Sequence, residues 1–254
     1  MRTATIIALL LLGGCGAPAP ARRARDWFPA IDPAALSTAP DVDFIPGLKG
    51  YQQTTEYTCG PAALLSVARF YELTGIDESA ETEMRIAREA GTRDPAALKP
   101  GERPGTRPEE MASWLRAKGL EAALEFEEKG DGSALKKLRE TIRRGTPAIV
   151  EWIDLAGHWV VAVGYDGRGT PETGDDILIF ADPYDRYDDH PDGYTFANAE
   201  RFYWMWFDAR YFGRETWRTM IAVTGKPEGR KALPPGETRP NMKLPAEAPG
   251  GETP

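Results

Sequence analysis

Three side chains in this sequence have the types and settings that nucleophilic catalysis needs: a cysteine, a histidine and an aspartate, each at the edge of a regular-looking segment. Cys59 stands in Gln53-Thr54-Thr55-Glu56-Tyr57-Thr58-Cys59-Gly60-Pro61-Ala62-Ala63-Leu64-Leu65, where a polar stretch gives way to an apolar one. His158 opens the run Gly157-His158-Trp159-Val160-Val161-Ala162-Val163, and Asp182 closes Ile177-Leu178-Ile179-Phe180-Ala181-Asp182-Pro183. The thiolate is the reactive form of cysteine, and an ordinary thiol with a pKa of about 8.5 is mostly protonated at neutral pH. A helix N-terminus offers N–H groups and partial positive charge to such an anion, and a neighbouring imidazolium offers a full charge. The chain has two histidines. His190 falls in the polar loop Asp188-Asp189-His190-Pro191-Asp192, whereas a strand would hold the backbone of His158, which makes His158 the better base. An imidazole also needs an acceptor that fixes its tautomer. Asp182 suits that role, because the following proline biases it toward extended backbone. For the oxyanion, the side-chain amide of Gln53 and the backbone N–H of Cys59 are the natural donors, with Gln52 as the neighbouring alternative.

Those residues depend on the elements around them. Pro61 fits the first turn of a helix, Leu64, Val67, Ala68 and Tyr71 follow at helical spacing, and Gly75 is the expected stop. Thr82–Ala90 reads as a second helix. Thr106 is the expected cap of a third, with Pro108 just inside it, Met111, Trp114 and Leu115 on one face and Gly119 at its end. Ser133 is the expected cap of a fourth, carrying Leu135, Leu138 and Ile142 and ended by Gly145. Beyond it the period changes to short β-branched and aromatic runs: Pro147–Ile153, His158–Tyr165, Asp176–Ala181 and Trp217–Thr224. Helices followed by a mostly antiparallel sheet indicate the α+β class. The aromatic run Phe202-Tyr203-Trp204-Met205-Trp206-Phe207 is read as core, with one tryptophan free to line a cleft.

The chain ends read differently. Met1-Arg2 and the apolar stretch Ala4–Leu12 suit a secretory signal and fall short of the roughly 20 residues that a bilayer-spanning helix needs. Leu12-Gly13-Gly14-Cys15 resembles the lipobox of bacterial lipoproteins, which would make Cys15 the lipidated first residue of the mature chain. The expected division is a signal over 1–14, a linker to the anchor over 15–43, a folded domain over 44–224 and a disordered Pro/Gly-rich tail over 225–254. The expected place is the cell envelope, on the outer membrane facing the periplasm or on the outer face of the cell membrane. With Cys15 lipidated, Cys59 is the one free thiol, unusual in an oxidising compartment. A net charge of −8 argues against nucleic acid as a partner. The acidic stretch Asp182–Asp192 lacks a calcium-loop pattern and any second ligand at zinc spacing, and is read as a solvated loop.

Taken together, Gln-x5-Cys-Gly-Pro-Ala-Ala, Gly-His-Trp-Val-Val-Ala-Val-Gly-Tyr-Asp and Ala-Asp-Pro resemble the bacteriocin-processing, double-glycine leader peptidases, and more closely their stand-alone papain-like C39-like relatives. The resemblance covers Pro46 to Thr224. It implies a papain-like cysteine peptidase fold, with Cys59 as nucleophile, Gln53 as oxyanion donor, His158 as base and Asp182 as the orienting residue. Thr58 departs from the aspartate usual before the cysteine in transporter-linked members, and no transporter or ATP-binding segment accompanies the domain. Both departures bear on the substrate more than on the thiol chemistry. The expectation is a lipid-anchored cysteine peptidase or related amide-bond hydrolase, monomeric, needing no cofactor or metal and acting on a peptide or protein. The alternatives are a non-catalytic module of the same fold that binds peptide or cell wall, and acyl or γ-glutamyl transfer by the same thiol.

Overall fold

The computed structural model describes residues 32–127, 130–185, 191–209, 212–213 and 215–225. The expected signal, the lipidation candidate Cys15, His190 and the tail from 226 onward lie outside the described residues.

In chain order the elements are α1 (Pro33–Leu36), β1 (Val42–Phe44), α2 (Cys59–Phe70), α3 (Ala80–Glu89), α4 (Pro108–Ala117), β2 (Glu121–Glu125), α5 (Ser133–Arg143), β3 (Ala148–Trp152), β4 (His158–Asp166), β5 (Ile177–Ala181), β6 (Tyr194–Asn198), α6 (Ala199–Met205), β7 (Phe207–Ala209), β8 (Glu215–Trp217) and β9 (Met220–Thr224). One sheet of seven strands has six in the order β2-β9-β3-β4-β5-β6, every pairing antiparallel, with β1 as the seventh. β1 joins it through β4, where Val42 pairs with Asp166 and Phe44 with Gly164, continuing the edge that β3 occupies from His158 to Ala162. β7 and β8 make a separate hairpin. The α+β class, with its N-terminal helices packed on an antiparallel sheet, is thus the observed architecture.

The core explains the element types. From Cys59 to Ala68 every residue of α2 is buried, and small Gly and Ala residues at its start let the helix approach β4 closely. β4 is buried from His158 to Tyr165, so it reads as a continuous apolar run instead of an alternating one. Phe202 and Trp206 from the aromatic run are fully buried, ringed by Trp152 and Phe180, while Trp204 is 61% exposed.

Several boundaries differ from expectation, each for a tertiary reason. α2 ends at Phe70, not at Gly75, because Tyr71 donates its hydroxyl to the Val223 carbonyl at 2.7 Å and Glu72 turns through φ +54°. Thr106 does not cap α4. It is buried and bonds Thr92, and Glu110 accepts the Arg107 N–H instead. Gly132 precedes α5, and Glu127 accepts from the Ser133 hydroxyl and from the Ala134 N–H at 2.9 Å. The predicted strand Trp217–Thr224 is broken at Arg218 (φ +51°), whose buried guanidinium lies over the rings of Tyr203 and Trp217. β2 escaped the sequence reading because Glu, Ala and Leu favour helices. Pairing with β9 overrides that preference.

Candidate active site

Cys59 is the first residue of α2, a free cysteine with 9% of its surface exposed. Thr58 precedes it without a side-chain cap, because its hydroxyl bonds Thr55 across the loop at 2.8 Å. The helix's leading N–H groups therefore have no side-chain acceptor and face whatever anion arrives there. Gly60 makes the approach possible. A Cβ at that position would stand 2.8 Å from the Thr106 hydroxyl and 3.4 Å from the Trp159 ring. Glycine there leaves room for the Thr106 side chain beside the start of α2.

His158 is the first residue of β4, and Asp182 follows the last residue of β5. Antiparallel pairing of the two strands brings these ends together. The His158 Nε2 lies 2.7 Å from Asp182 Oδ1, and the ring is near enough to the Cys59 thiol to be electrostatically coupled to it. Asp182 Oδ1 accepts the Tyr184 N–H at 2.7 Å as well, and Oδ2 accepts the Thr195 hydroxyl at 2.8 Å. Burial opposes charge on His158, but the Asp182 and Cys59 contacts outweigh it and push the ring's pKa from 6.5 up to about 10. Burial likewise penalises charge on Asp182. Its bonds to His158, the Tyr184 N–H and Thr195 outweigh that penalty and hold the carboxyl below its usual range. At neutral pH the site holds an imidazolium against a carboxylate.

The loop carrying Gln53 is stitched to the Asp182 segment through backbone. The Gln53 N–H donates to the Pro183 carbonyl at 2.8 Å, and the Gly193 carbonyl accepts from both Gly50 (2.8 Å) and Asp182 (3.1 Å). Gln53 is buried, whereas Gln52 is exposed. The Gln53 side-chain nitrogen donates to the Thr55 carbonyl at 2.7 Å, so one hydrogen of the amide is engaged within its own loop and the second is left for another acceptor. The structure therefore brings Cys59, His158 and Asp182 into one connected group and fastens Gln53's backbone beside them.

Sequence reasoning missed the supporting residues. Thr195, Gly50 and Gly193 carry no local signal of catalysis; their roles come from β6 pairing with β5. The turn before His158 was also missed. Leu155 (φ +52°), Ala156 (φ +66°) and Gly157 (φ +116°) are successive residues with positive φ, and only the glycine adopts such backbone without strain. Among the described residues, no group of three or more His, Cys, Asp or Glu side chains is arranged to hold a metal ion, and no helix is long and apolar enough to cross a membrane.

Residues 46–209 match the Peptidase_C39 like family, a span of more than half the chain. The chain belongs to that family. It is accordingly a cysteine-peptidase-like hydrolase. Among solved structures it is similar to the peptidase domain of Streptococcus ComA, a bi-functional ABC transporter involved in a quorum sensing pathway. That likeness has 20% identity and a TM-score of 0.44, over 70% of this chain and 99% of the other. It is also similar to a double glycine motif protease from an AMS/PCAT transporter in complex with the leader peptide, at 16% identity and a TM-score of 0.39, over 70% and 94% of the two chains. A third similar structure, UfSP from C. elegans, has 14% identity and a TM-score of 0.47, over 76% of this chain and 37% of that one. No curated protein sequence matches the chain.

Proposed function

We propose that the protein is an exported, lipid-anchored cysteine peptidase that cleaves amide bonds with a Cys59–His158–Asp182 triad. The observation that carries the reading is the buried His158–Asp182 pair, electrostatically coupled to the Cys59 thiol at a helix start. The sulfur, its proton held by the His158 ring, attacks the substrate carbonyl carbon. The resulting oxyanion is met by the Cys59 N–H and the free hydrogen of the Gln53 amide. The tetrahedral species collapses as His158 passes its proton to the leaving amine, and a thioester remains on Cys59. His158 then takes a proton from water, whose hydroxyl displaces the sulfur and releases the acid. Asp182 holds the ring's orientation and its positive charge throughout.

The partner is a peptide or protein; the similar transporter protease was captured with a leader peptide. The envelope location rests on the signal-like segment 1–14 and on Cys15 as the lipidated residue, and the working unit is a monomer. Hydrolysis is preferred over acyl transfer because family membership points to peptidases. Incubating the purified protein with a mixed peptide library, and comparing it with Cys59→Ala by mass spectrometry, tests the reading. Cleavage that disappears in the variant supports it. Cleavage by neither protein, with Cys59 no faster than free cysteine toward iodoacetamide, overturns it in favour of a non-catalytic binding module.

A further inference from the structure

A cavity of about 400 Å³ lies at the β2–β9 edge of the sheet, with Glu127, Trp206, Arg218 and Met220 in its lining. Phe126 and Lys137 line it too, and both are exposed to solvent. Strand register places it on the face that carries His158. Met220 pairs with Val150, Val150 and Trp152 alternate along β3, and Trp152 pairs with His158. Opposed and alternate residues share a side of a sheet. Carried on by two residues, the β3–β9 register sets Arg218 level with Trp152 and His158, two strand spacings or roughly 10 Å from the histidine backbone. Arg218 is 4% exposed and holds a left-handed backbone (φ +51°) that is strained for a residue with a Cβ. Its guanidinium lies 4.2 Å and 4.8 Å from the centres of the Tyr203 and Trp217 rings. Its Nε faces Glu127 Oε2 across 3.7 Å, and among the described residues neither atom has a hydrogen-bond partner. The other oxygen of Glu127 is taken by the Ser133 hydroxyl and the Ala134 N–H.

A charge-assisted pair free to close does so at about 2.7–2.9 Å. Here the two rings hold the guanidinium and the α5 contacts hold the carboxylate, which leaves one donor and one acceptor side by side and unfilled. The volume is within the roughly 300–1,000 Å³ of ligand sites. The other charges of the lining cancel, because Lys137 pairs with Glu125. A carboxylate ligand would meet Glu127 and an ammonium would meet Arg218, so the cavity favours a neutral group. A trans backbone amide directs its C=O and N–H to opposite sides, whereas a side-chain carboxamide presents both on one edge. Resting on the peptidase reading above, we propose that this cavity is a substrate subsite for a glutamine or asparagine side chain, whose carbonyl accepts from Arg218 Nε and whose N–H donates to Glu127 Oε2. A span of roughly 10 Å at about 3.3 Å per extended residue sets that side chain about three residues from the scissile bond.

The test takes one peptide that the wild-type protein cleaves and places glutamine, methionine or glutamate at each position from two to four residues on either side of the cleaved bond. The readout is the ratio of kcat/KM for glutamine over methionine, a side chain of similar length without the amide. At one of these positions the wild type should favour glutamine at least about tenfold, because a hydrogen bond to a charged partner is worth that much. Glu127→Gln keeps an oxygen for Ser133 and Ala134 and turns the unfilled acceptor into a donor. It should abolish the glutamine preference and make glutamate the better residue, a reversal that lost packing would not produce. Propionamide should slow wild-type cleavage of the glutamine peptide and spare the methionine peptide, which reads the same cavity without a variant that must fold. A ratio near one at every position, or a glutamine preference unchanged in Glu127→Gln, overturns the proposal and leaves the peptidase reading standing. Absence of cleavage of any peptide overturns both.

Discussion

The Nε2 of His158 and the Oδ1 of Asp182 lie 2.7 Å apart, with 3% and 1% of their side chains exposed. In a water-excluded setting neither charge can persist alone, so each fixes the ionisation of the other. The carboxylate stays ionised because the ring is protonated, and the ring stays protonated well above neutral pH because the carboxylate is ionised. This mutual dependence makes the pair a structural unit as well as the proposed catalytic one, and the two roles can be separated by experiment.

Cys59→Ala and His158→Ala should each lower turnover by at least roughly 10²–10⁴-fold, the usual contribution of positioned acid–base groups. The double variant should be scarcely worse than either single one, because residues acting as a unit do not add. Asp182→Asn should keep measurable turnover. Steady-state rates on one cleaved peptide check all four, and additive losses would show that Cys59 and His158 act separately.

The pH dependence follows from the direction of the shifts. The pKa of His158 is raised on folding, so its stabilising contribution is complete below about 6.5 and is lost as pH rises toward about 10. That of Asp182 is lowered, so its contribution is present above its ordinary value of 3.8 and is lost as pH falls through the folded value. Denaturation midpoints should therefore decline from pH 6.5 to 10 in the wild type. His158→Gln should flatten that decline, and an equal slope in both proteins would contradict the assignment.

Thr195 supplies one of the bonds that keep Asp182 ionised. Thr195→Val should weaken the carboxylate's hold on the ring and move the alkaline limb of the rate profile to lower pH. An unmoved limb with a uniformly lower rate would mean that Thr195 serves packing alone.

Gly50 is packed against the backbone of Asp182. A Cβ there would fall 2.2 Å from the Asp182 carbonyl oxygen, closer than any real contact. Gly50→Ala should cost about 1–3 kcal/mol of stability, as overpacking does, and should depress turnover by moving Asp182. Gly174→Ala, where the nearest atom would be at an ordinary 3.5 Å, should be near neutral. Thermal melts and rates on both variants decide the point.

The envelope assignment has its own test. Cys15→Ala should leave an unlipidated or unprocessed protein in the soluble fraction. Membrane retention and an unchanged mature mass in that variant would count against the anchor.

The sequence by itself pointed to the candidate reactive residues and determined the class of fold. Cys59 at a polar-to-apolar junction, His158 after a glycine and Asp182 before a proline are local signals, because each reports how one short segment of backbone ends. Helical spacing and β-branched runs likewise report local periodicity, and they located four helices and the strands nearest the site. Tertiary structure alone decided the rest. Glu121–Glu125 is a strand because β9 offers it an edge, and α2 stops at Phe70 because Tyr71 reaches the Val223 carbonyl. Thr195, Gly50 and Gly193 became part of the site when pairing of β5 with β6 set them around Asp182. Hydrogen bonds and excluded water depend on what lies nearby in space, and that information exists only after the chain has closed on itself.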